Sequence, residues 1–197
     1  MRVIFLRLAK KRGERKTIGF YGISSGVGTT HLAIAAAHYV VNEWGVSAAV
    51  AEMGSRPCIR DLDVSGQGGD HFVLDGVGYY PQMEPAQMPE LLNGKYRYLI
   101  LDMGCEETCW QEFLRCDLKY IVASLCPWHI RQAEHFMALH EKEQSKNYFT
   151  ALLTVSGNVY DKKKFQRTYH VPVRTIPFIA DPFWLEKDQL SFFQELL

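Results

Sequence analysis

I-G-F-Y-G-I-S-S-G-V-G-T-T-H, residues Ile18 to His31, decides the fold, because it has the outline of a phosphate-binding loop without its lysines. Gly26 and Gly28 allow the backbone to curl and aim consecutive N–H groups at a phosphate, on the positive end of the helix that follows. A complete loop reads G-x-x-x-x-G-K-[ST]. Aligning Gly28 with its last glycine puts Ile23 at the first glycine, Thr29 at the lysine and Thr30 at the Mg²⁺-binding hydroxyl. The candidate nucleotide-binding residues are therefore Ser24, Ser25, Gly26, Val27, Gly28, Thr29 and Thr30.

The flanks agree with the loop. Thr17 to Gly22 is a short apolar run suited to a buried strand, and Leu32 to Val41 is Ala-rich and helical in propensity. A Gly-rich turn between any strand and any helix would look similar, so the rest of the chain has to weigh in.

Further buried-strand patterns fall at Val46–Glu52, His71–Leu74, Tyr98–Asp102, Lys119–Leu125, Thr150–Val155 and Val171–Pro177. Helical patterns fall between them at Thr30–Glu43, Met88–Leu92, Thr108–Arg115, Ile130–Gln144, Lys162–Tyr169 and Pro182–Leu197, with Gly54–Gly69 as a loop. Alternating strands and helices predict an α/β fold with a doubly wound, mainly parallel sheet and helices on both faces. Ligands of such sheets bind beyond the carboxyl ends of the strands. Two acids are placed there: Asp102, which ends an apolar strand and precedes Met103-Gly104 as a Walker B aspartate would, and Glu52, a further candidate. Thr30 and Asp102 are the expected Mg²⁺ pair. A strand-end aspartate also caps turns, so loop and acid count only together.

Composition narrows the function classes. With 197 residues and 47% hydrophobic content the chain can bury one good-sized core, read as a single domain over 17–197 behind a basic segment, 1–16. That segment carries seven of the 22 basic residues against Glu14 alone, leaving 15 basic and 21 acidic residues, a balance of −6, beyond it. Such a body is a poor wrapper of nucleic acid. Residues 1–16 suit either an edge strand, Arg2–Leu8, followed by a basic turn, or a segment lying on an anionic membrane surface. Five irregularly spaced cysteines without a C-x-x-C pair predict reduced, buried thiols in a cytoplasmic protein and no zinc site. Trp128 and His129 read as packing residues. Leu185, Leu190, Phe192, Phe193, Leu196 and Leu197 form the apolar face of a closing or partner-binding helix.

The chain resembles the MinD/ParA-type P-loop ATPases of the SIMIBI class, and more closely their CpaE/TadZ pilus-associated branch. The residues that carry the resemblance are Ser24–Ala33, Val50–Glu52, Tyr98–Gly104, Phe113–Asp117 leading into the strand from Lys119, and Ile176–Phe183. The family loop reads K-G-G-x-G-K-T, its first lysine reaching across a dimer and its second holding the β- and γ-phosphates. Ser24, Ser25 and Thr29 replace both lysines and a glycine, and the CpaE/TadZ variant G-G-V-G-A-T-T is similar to this G-V-G-T-T. The family's I-P-x-D becomes Ile176-Pro177-Phe178-Ile179-Ala180-Asp181, with the acid two positions late.

The resemblance implies ATP or ADP with Mg²⁺ as weakly held ligands, a homodimer, and partners in a membrane-associated assembly machine at the inner membrane face. Losing a charged hydrogen bond to phosphate removes ~1.5–3 kcal/mol, roughly ten- to a hundredfold in affinity. Turnover suffers more, because positive charge matters most as charge develops on the transferred group. The expected function is a non-hydrolysing or very slow scaffold. The alternative is an active dimerising ATPase with a cation supplied by Arg56, Arg60 or the N-terminal segment.

Overall fold

The computed structural model describes residues 15–54, 58–63, 69–141 and 149–197. The edge-strand and membrane-contact expectations for the N-terminal segment fall on residues outside these ranges, as does Arg56.

An eight-stranded sheet runs through the molecule in the order β3-β4-β2-β5-β1-β6-β7-β8. Its strands are β1 (Lys16–Gly22), β2 (Ala48–Glu52), β3 (Phe72–Leu74), β4 (Val77–Tyr80), β5 (Tyr98–Asp102), β6 (Leu118–Val122), β7 (Ala151–Thr154) and β8 (Val173–Thr175). Every pairing is parallel except the β3–β4 hairpin at one edge. The α/β, mainly parallel expectation holds. Strand β4 is absent from the sequence reading, because V-G-Y-Y is short and carries a glycine at its second position. The strand expected from His71 opens at Phe72 and is an antiparallel edge.

Among the described residues five helices lie between the strands, α1 (Thr29–Trp44), α2 (Met88–Asn93), α3 (Trp110–Arg115), α4 (Ile130–Leu139) and α5 (Val159–Tyr169), and a sixth, α6 (Lys187–Leu196), follows β8. The sheet separates two apolar layers. Helices α1 and α6 cover one face, over Ile18, Phe20, Val50, Ile100 and Tyr120, while α2 to α5 contribute Leu91, Phe113, Met137 and Phe165 to the other. Helix α1 is buried from Leu32 to Val40, and its run of alanines lets its axis come close to the strands. Helix α6 is a closing helix. Phe193 is fully buried and stacks on Tyr39 at 5.8 Å, and Leu196 is buried with it.

Pleat alternation turns successive side chains to opposite faces, so Tyr98, Ile100 and Asp102 share one face and Leu99 and Leu101 the other. Ala48, Val50 and Glu52 follow the same rule on β2. The two acids therefore lie on the α1 side, at the carboxyl ends of neighbouring strands and in register with each other.

Some sequence expectations need correction. The buried-thiol reading holds for Cys109, Cys116 and Cys126, whereas Cys58 and Cys105 are exposed. They sit in loops beyond the strand tips, where no layer covers them. The stretch Thr108–Arg115 is a 3-10 turn, Glu107–Cys109, followed by the short α3. The Gly54–Gly69 loop contains a 3-10 turn at Ile59–Leu62. Trp128 is 77% exposed and packs in no core.

Candidate functional site

The glycine-rich loop leaves β1 between two neighbours. Gly22 donates its N–H to the Gly104 carbonyl at 2.7 Å, and Ile23 donates to the Val122 carbonyl at 3.0 Å, so the loop starts from the tips of three adjacent strands. Gly22 has to be glycine: a Cβ would stand 2.8 Å from Val27 Cγ2 and 3.2 Å from the Gly104 carbonyl oxygen. Gly26 (φ 79°) and Gly28 (φ 97°) are left-handed, which curls Ser24 to Gly28 into a tight arch whose crest, Ser25 and Gly26, is exposed.

Helix α1 begins directly from this arch. Gly28 occupies its N-cap position with no side-chain cap, and the first turn holds no acid. The first-turn N–H groups therefore lack a side-chain acceptor, and an anion satisfies them best.

Thr30 and Asp102 are brought together. Thr30 Oγ1 donates to Asp102 Oδ2 at 2.5 Å, and Gly104 N–H donates to Oδ1 at 3.1 Å. Asp102 is 2% exposed, and burial raises its pKa against the lowering effect of Thr30, Gly104 and the Thr29 hydroxyl. Thr29, at the lysine position, is buried, and its hydroxyl is near enough to Asp102 to lower that carboxyl's pKa slightly without meeting hydrogen-bond geometry.

Glu52 lies across the strand pair from Asp102 and is equally buried. Its Oε1 accepts the N–H groups of Cys58 at 2.6 Å and Ile59 at 3.3 Å, anchoring the 3-10 turn that carries Arg60. Its Oε2 is buried without a hydrogen bond. Burial raises the Glu52 pKa, and the Asp102 charge adds to it, against the N–H groups of Cys58, Ile59 and Gln82. Gln82 N–H acts on the carboxyl without meeting hydrogen-bond geometry.

Beside the arch is a cleft of about 230 Å³, with Val27, Gly28, His31 and Leu32 on one wall and Val155 and Ile176–Ile179 on the other. His31 Nε2 donates to the Ile179 carbonyl at 2.9 Å, which ties α1 to the segment after β8. Phe178 is 85% exposed over this cleft. The displaced acid, Asp181, is exposed and caps a local turn by accepting Phe183 N–H at 2.9 Å. His31 and Phe178 escaped the sequence reading. The signal for His31 was its place two residues after Thr29 on the first turn of α1. Beyond β6, Cys126 Sγ lies 3.4 Å from His129 Nδ1 and 3.0 Å from Ser124 Oγ, so His129 belongs to a small polar cluster.

The arrangement offers backbone donors and a helix N-terminus for phosphate, a hydroxyl–carboxylate pair for a hard cation, and a mainly apolar cleft on the far side of the arch. None of the loop or cleft side chains is lysine or arginine.

No known protein-family model and no curated protein sequence matches the chain. Solved structures do match. A plasmid partition protein from Borrelia burgdorferi bound to AMPPNP is 16% identical, with 93% of this chain and 97% of that one covered and a TM-score of 0.62. MinD from Aquifex aeolicus is 15% identical, covering 90% and 85%, with a TM-score of 0.56. Cobyrinic acid a,c-diamide synthase from Mycobacterium smegmatis with ADP and magnesium is 11% identical, covering 92% and 91%, with a TM-score of 0.64. At these identities the likeness is one of fold, the fold of the ParA/MinD P-loop ATPases.

Proposed function

We propose that the protein is a ParA/MinD-like nucleotide-binding protein that holds ATP or ADP with Mg²⁺ weakly and turns it over very slowly or not at all, acting as a scaffold or localisation factor. One observation carries the reading: the Thr30–Asp102 pair and the left-handed Gly26 and Gly28 keep the form of a nucleotide site, while Ser24 and Thr29 stand at both lysine positions.

In this reading the N–H groups from Gly26 to Thr30 receive the phosphates. Thr30 Oγ1 and the Asp102 carboxylate hold Mg²⁺, directly or through water, and the ion neutralises phosphate charge that the missing lysines would otherwise share. The cleft between His31 and Phe178 takes the base, with the Phe178 ring free to stack. Thr29 is buried and uncharged, which leaves the phosphates without a cation from that position. Affinity is then roughly ten- to a hundredfold below that of a loop with lysine.

Resemblance to the CpaE/TadZ branch extends the proposal to a homodimer serving pilus or secretion assembly from the cytoplasm. No helix of the described residues is long and apolar enough to cross a membrane, and the exposed thiols Cys58 and Cys105 suit a reducing compartment.

A second reading, an active dimerising ATPase, draws on Glu52. Its Oε2 is a free buried acceptor beside Asp102, a position from which a carboxylate can orient a water. Arg60, one of the cations suggested for that reading, lines a separate groove beyond Glu52.

Titration of the full chain with a fluorescent ATP analogue, with and without Mg²⁺, tests the proposal together with steady-state turnover. Mg²⁺-dependent binding lost in Thr30→Ala, with turnover at background, is the expected result. Ordinary turnover abolished by Asp102→Ala would establish the second reading instead.

A further inference from the structure

Only two buried side-chain polar atoms among the described residues lack a hydrogen bond, Glu52 Oε2 and Tyr96 Oη, and Tyr96 lines a groove separate from the glycine-rich loop. Buried orphans of this kind are rare and ask for a cause. The groove, about 610 Å³, lies between the Ile59–Leu62 turn, the residues after β4, and α2 with the segment that follows it. That volume is in the range of small-molecule sites.

Its floor is apolar. Met83, Leu91 and Tyr96 are buried there, and the Tyr80 ring is half-buried beneath the His71 ring, parallel to it at 5.0 Å and 8°. Tyr96 is seated by Gly78, where a Cβ would fall 2.2 Å from Oη. The Tyr80 hydroxyl is close enough that burial and then Tyr96 push its pKa up to about 12, yet the two hydroxyls miss hydrogen-bond geometry.

The rim carries both signs of charge: Arg60 and Lys95 against Asp70 and Glu90. Arg60, Asp70 and Glu90 form no ion pair among the described residues, and Lys95 lies 5.4 Å from the Tyr96 ring centroid. Four charges that sum to zero and leave one another unpaired suit a ligand that itself carries one charge of each sign. The wall also stores strain, since Gln82 is a non-glycine residue at φ 52°. Strained backbone of this sort concentrates at functional sites.

We propose that this groove is a second ligand site, separate from the phosphate loop, for a small zwitterion with an apolar or aromatic body, a free amino acid being the simplest member of the class. Arg60 and Lys95 receive its carboxylate, Asp70 and Glu90 its ammonium group, and Tyr96 Oη completes the polar contacts. The body rests on Met83, Leu91 and the Tyr80–His71 stack. Glu52 links this site to the other. Its carboxylate anchors the turn that carries Arg60, and its carbonyl accepts Met83 N–H at 2.7 Å.

The test is calorimetric titration of the nucleotide-free full chain with L-phenylalanine, L-leucine and L-methionine, repeated with N-acetylphenylalanine and phenylalanine amide. Saturable binding of at least one amino acid below about 10 mM is expected, with both blocked derivatives at least about tenfold weaker than phenylalanine. Tyr96→Phe, which keeps the ring and the fold, lowers the affinity severalfold. Glu90→Gln erases discrimination against the N-acetyl derivative while leaving ATP-analogue binding unchanged, so this site and the nucleotide site fail or stand separately. Absence of saturation for all three amino acids below about 10 mM, or blocked derivatives that bind as tightly as phenylalanine, overturns the proposal.

Discussion

Thr30 Oγ1 and Asp102 Oδ2 meet at 2.5 Å, joining the first turn of α1 to the tip of β5 across 72 residues of sequence. The contact makes a hydroxyl–carboxylate pair of the kind a hard cation requires. Thr30→Ala removes a ligand and leaves a buried carboxylate short of one hydrogen bond. Mg²⁺-dependent nucleotide binding should fall by about tenfold or more. Stability should drop by about 1–3 kcal/mol at neutral pH, because Asp102 loses a donor that favours its charged form. Denaturant melts and analogue titrations on the same sample separate the two effects.

Asp102 and Glu52 share a sign of pH dependence. Burial raises the pKa of each above its unfolded value, so the native state resists ionising both. Their contribution to stability is complete below the ordinary carboxylate range and is lost as pH rises through the raised native values. Asp102→Asn removes that liability while its amide oxygen still accepts from Gly104 or Thr30. It should stabilise the fold at pH 7 by roughly 0.5–2 kcal/mol, with a smaller gain at pH 4, and still abolish Mg²⁺-dependent binding. Thermal melts at the two pH values check this. A stability loss at pH 7 would mean that the ionised carboxylate stabilises the site.

Two glycines of the loop are required for different reasons. Gly22→Ala drives a methyl into Val27 and the Gly104 carbonyl and should cost about 1–3 kcal/mol by crowding. Gly28→Ala meets no atom within 4 Å, but it holds an L-residue at φ 97°. Its cost is torsional, about 1–2 kcal/mol, and the arch can escape it by turning its N–H groups away from the phosphates. Gly28→Ala should therefore lose more nucleotide affinity per unit of lost stability than Gly22→Ala, as paired melts and titrations would reveal.

Much of this site was legible because it is local or periodic. The loop lies within Ile18–His31, and the α1-side placement of Asp102 follows from strand alternation once Tyr98–Asp102 is a strand. Thr29 was placed at the lysine position by alignment. That its side chain is buried is a matter of helix phase relative to the sheet, which spacing does not reveal. The groove on Tyr96 was invisible for another reason. It is assembled from Arg60, Asp70, Tyr80 to Met83, Glu90 and Tyr96, with β4 among the contributing elements. That strand was unrecognised because Gly78, which makes room for the Tyr96 hydroxyl, breaks its apolar run. Trp128 misled because an aromatic next to a histidine in an apolar context usually packs, whereas the loop after β6 carries it out to solvent.

Helix α6 tests whether the closing layer is structural. Phe193 is fully buried against Tyr39, and Tyr120 donates its hydroxyl to the Leu196 carbonyl beneath the same helix. Phe193→Ala should cost about 3–5 kcal/mol and shift the whole cooperative transition. Phe192→Ala, at a half-buried neighbouring position, should cost clearly less. Equal small effects from both would turn α6 into a detachable partner-binding element.

Restoring the missing charges tests the functional reading from the opposite direction. Thr29 is buried, so a lysine there has to run its stem along the arch and place its ammonium above the N–H groups of the loop. If the loop has kept the geometry of a phosphate site, Thr29→Lys supplies a charged hydrogen bond worth ~1.5–3 kcal/mol and tightens ATP-analogue binding roughly ten- to a hundredfold. Ser24→Lys, at the position whose lysine would cross to a partner, should add little to affinity in the monomer. In combination with Thr29→Lys it should raise turnover and make it depend on protein concentration. Equilibrium titration measures the first effect, and turnover at several protein concentrations the second. Folded Thr29→Lys protein with unchanged nucleotide affinity would mean that the arch no longer presents a phosphate site, and the nucleotide reading would fall with it.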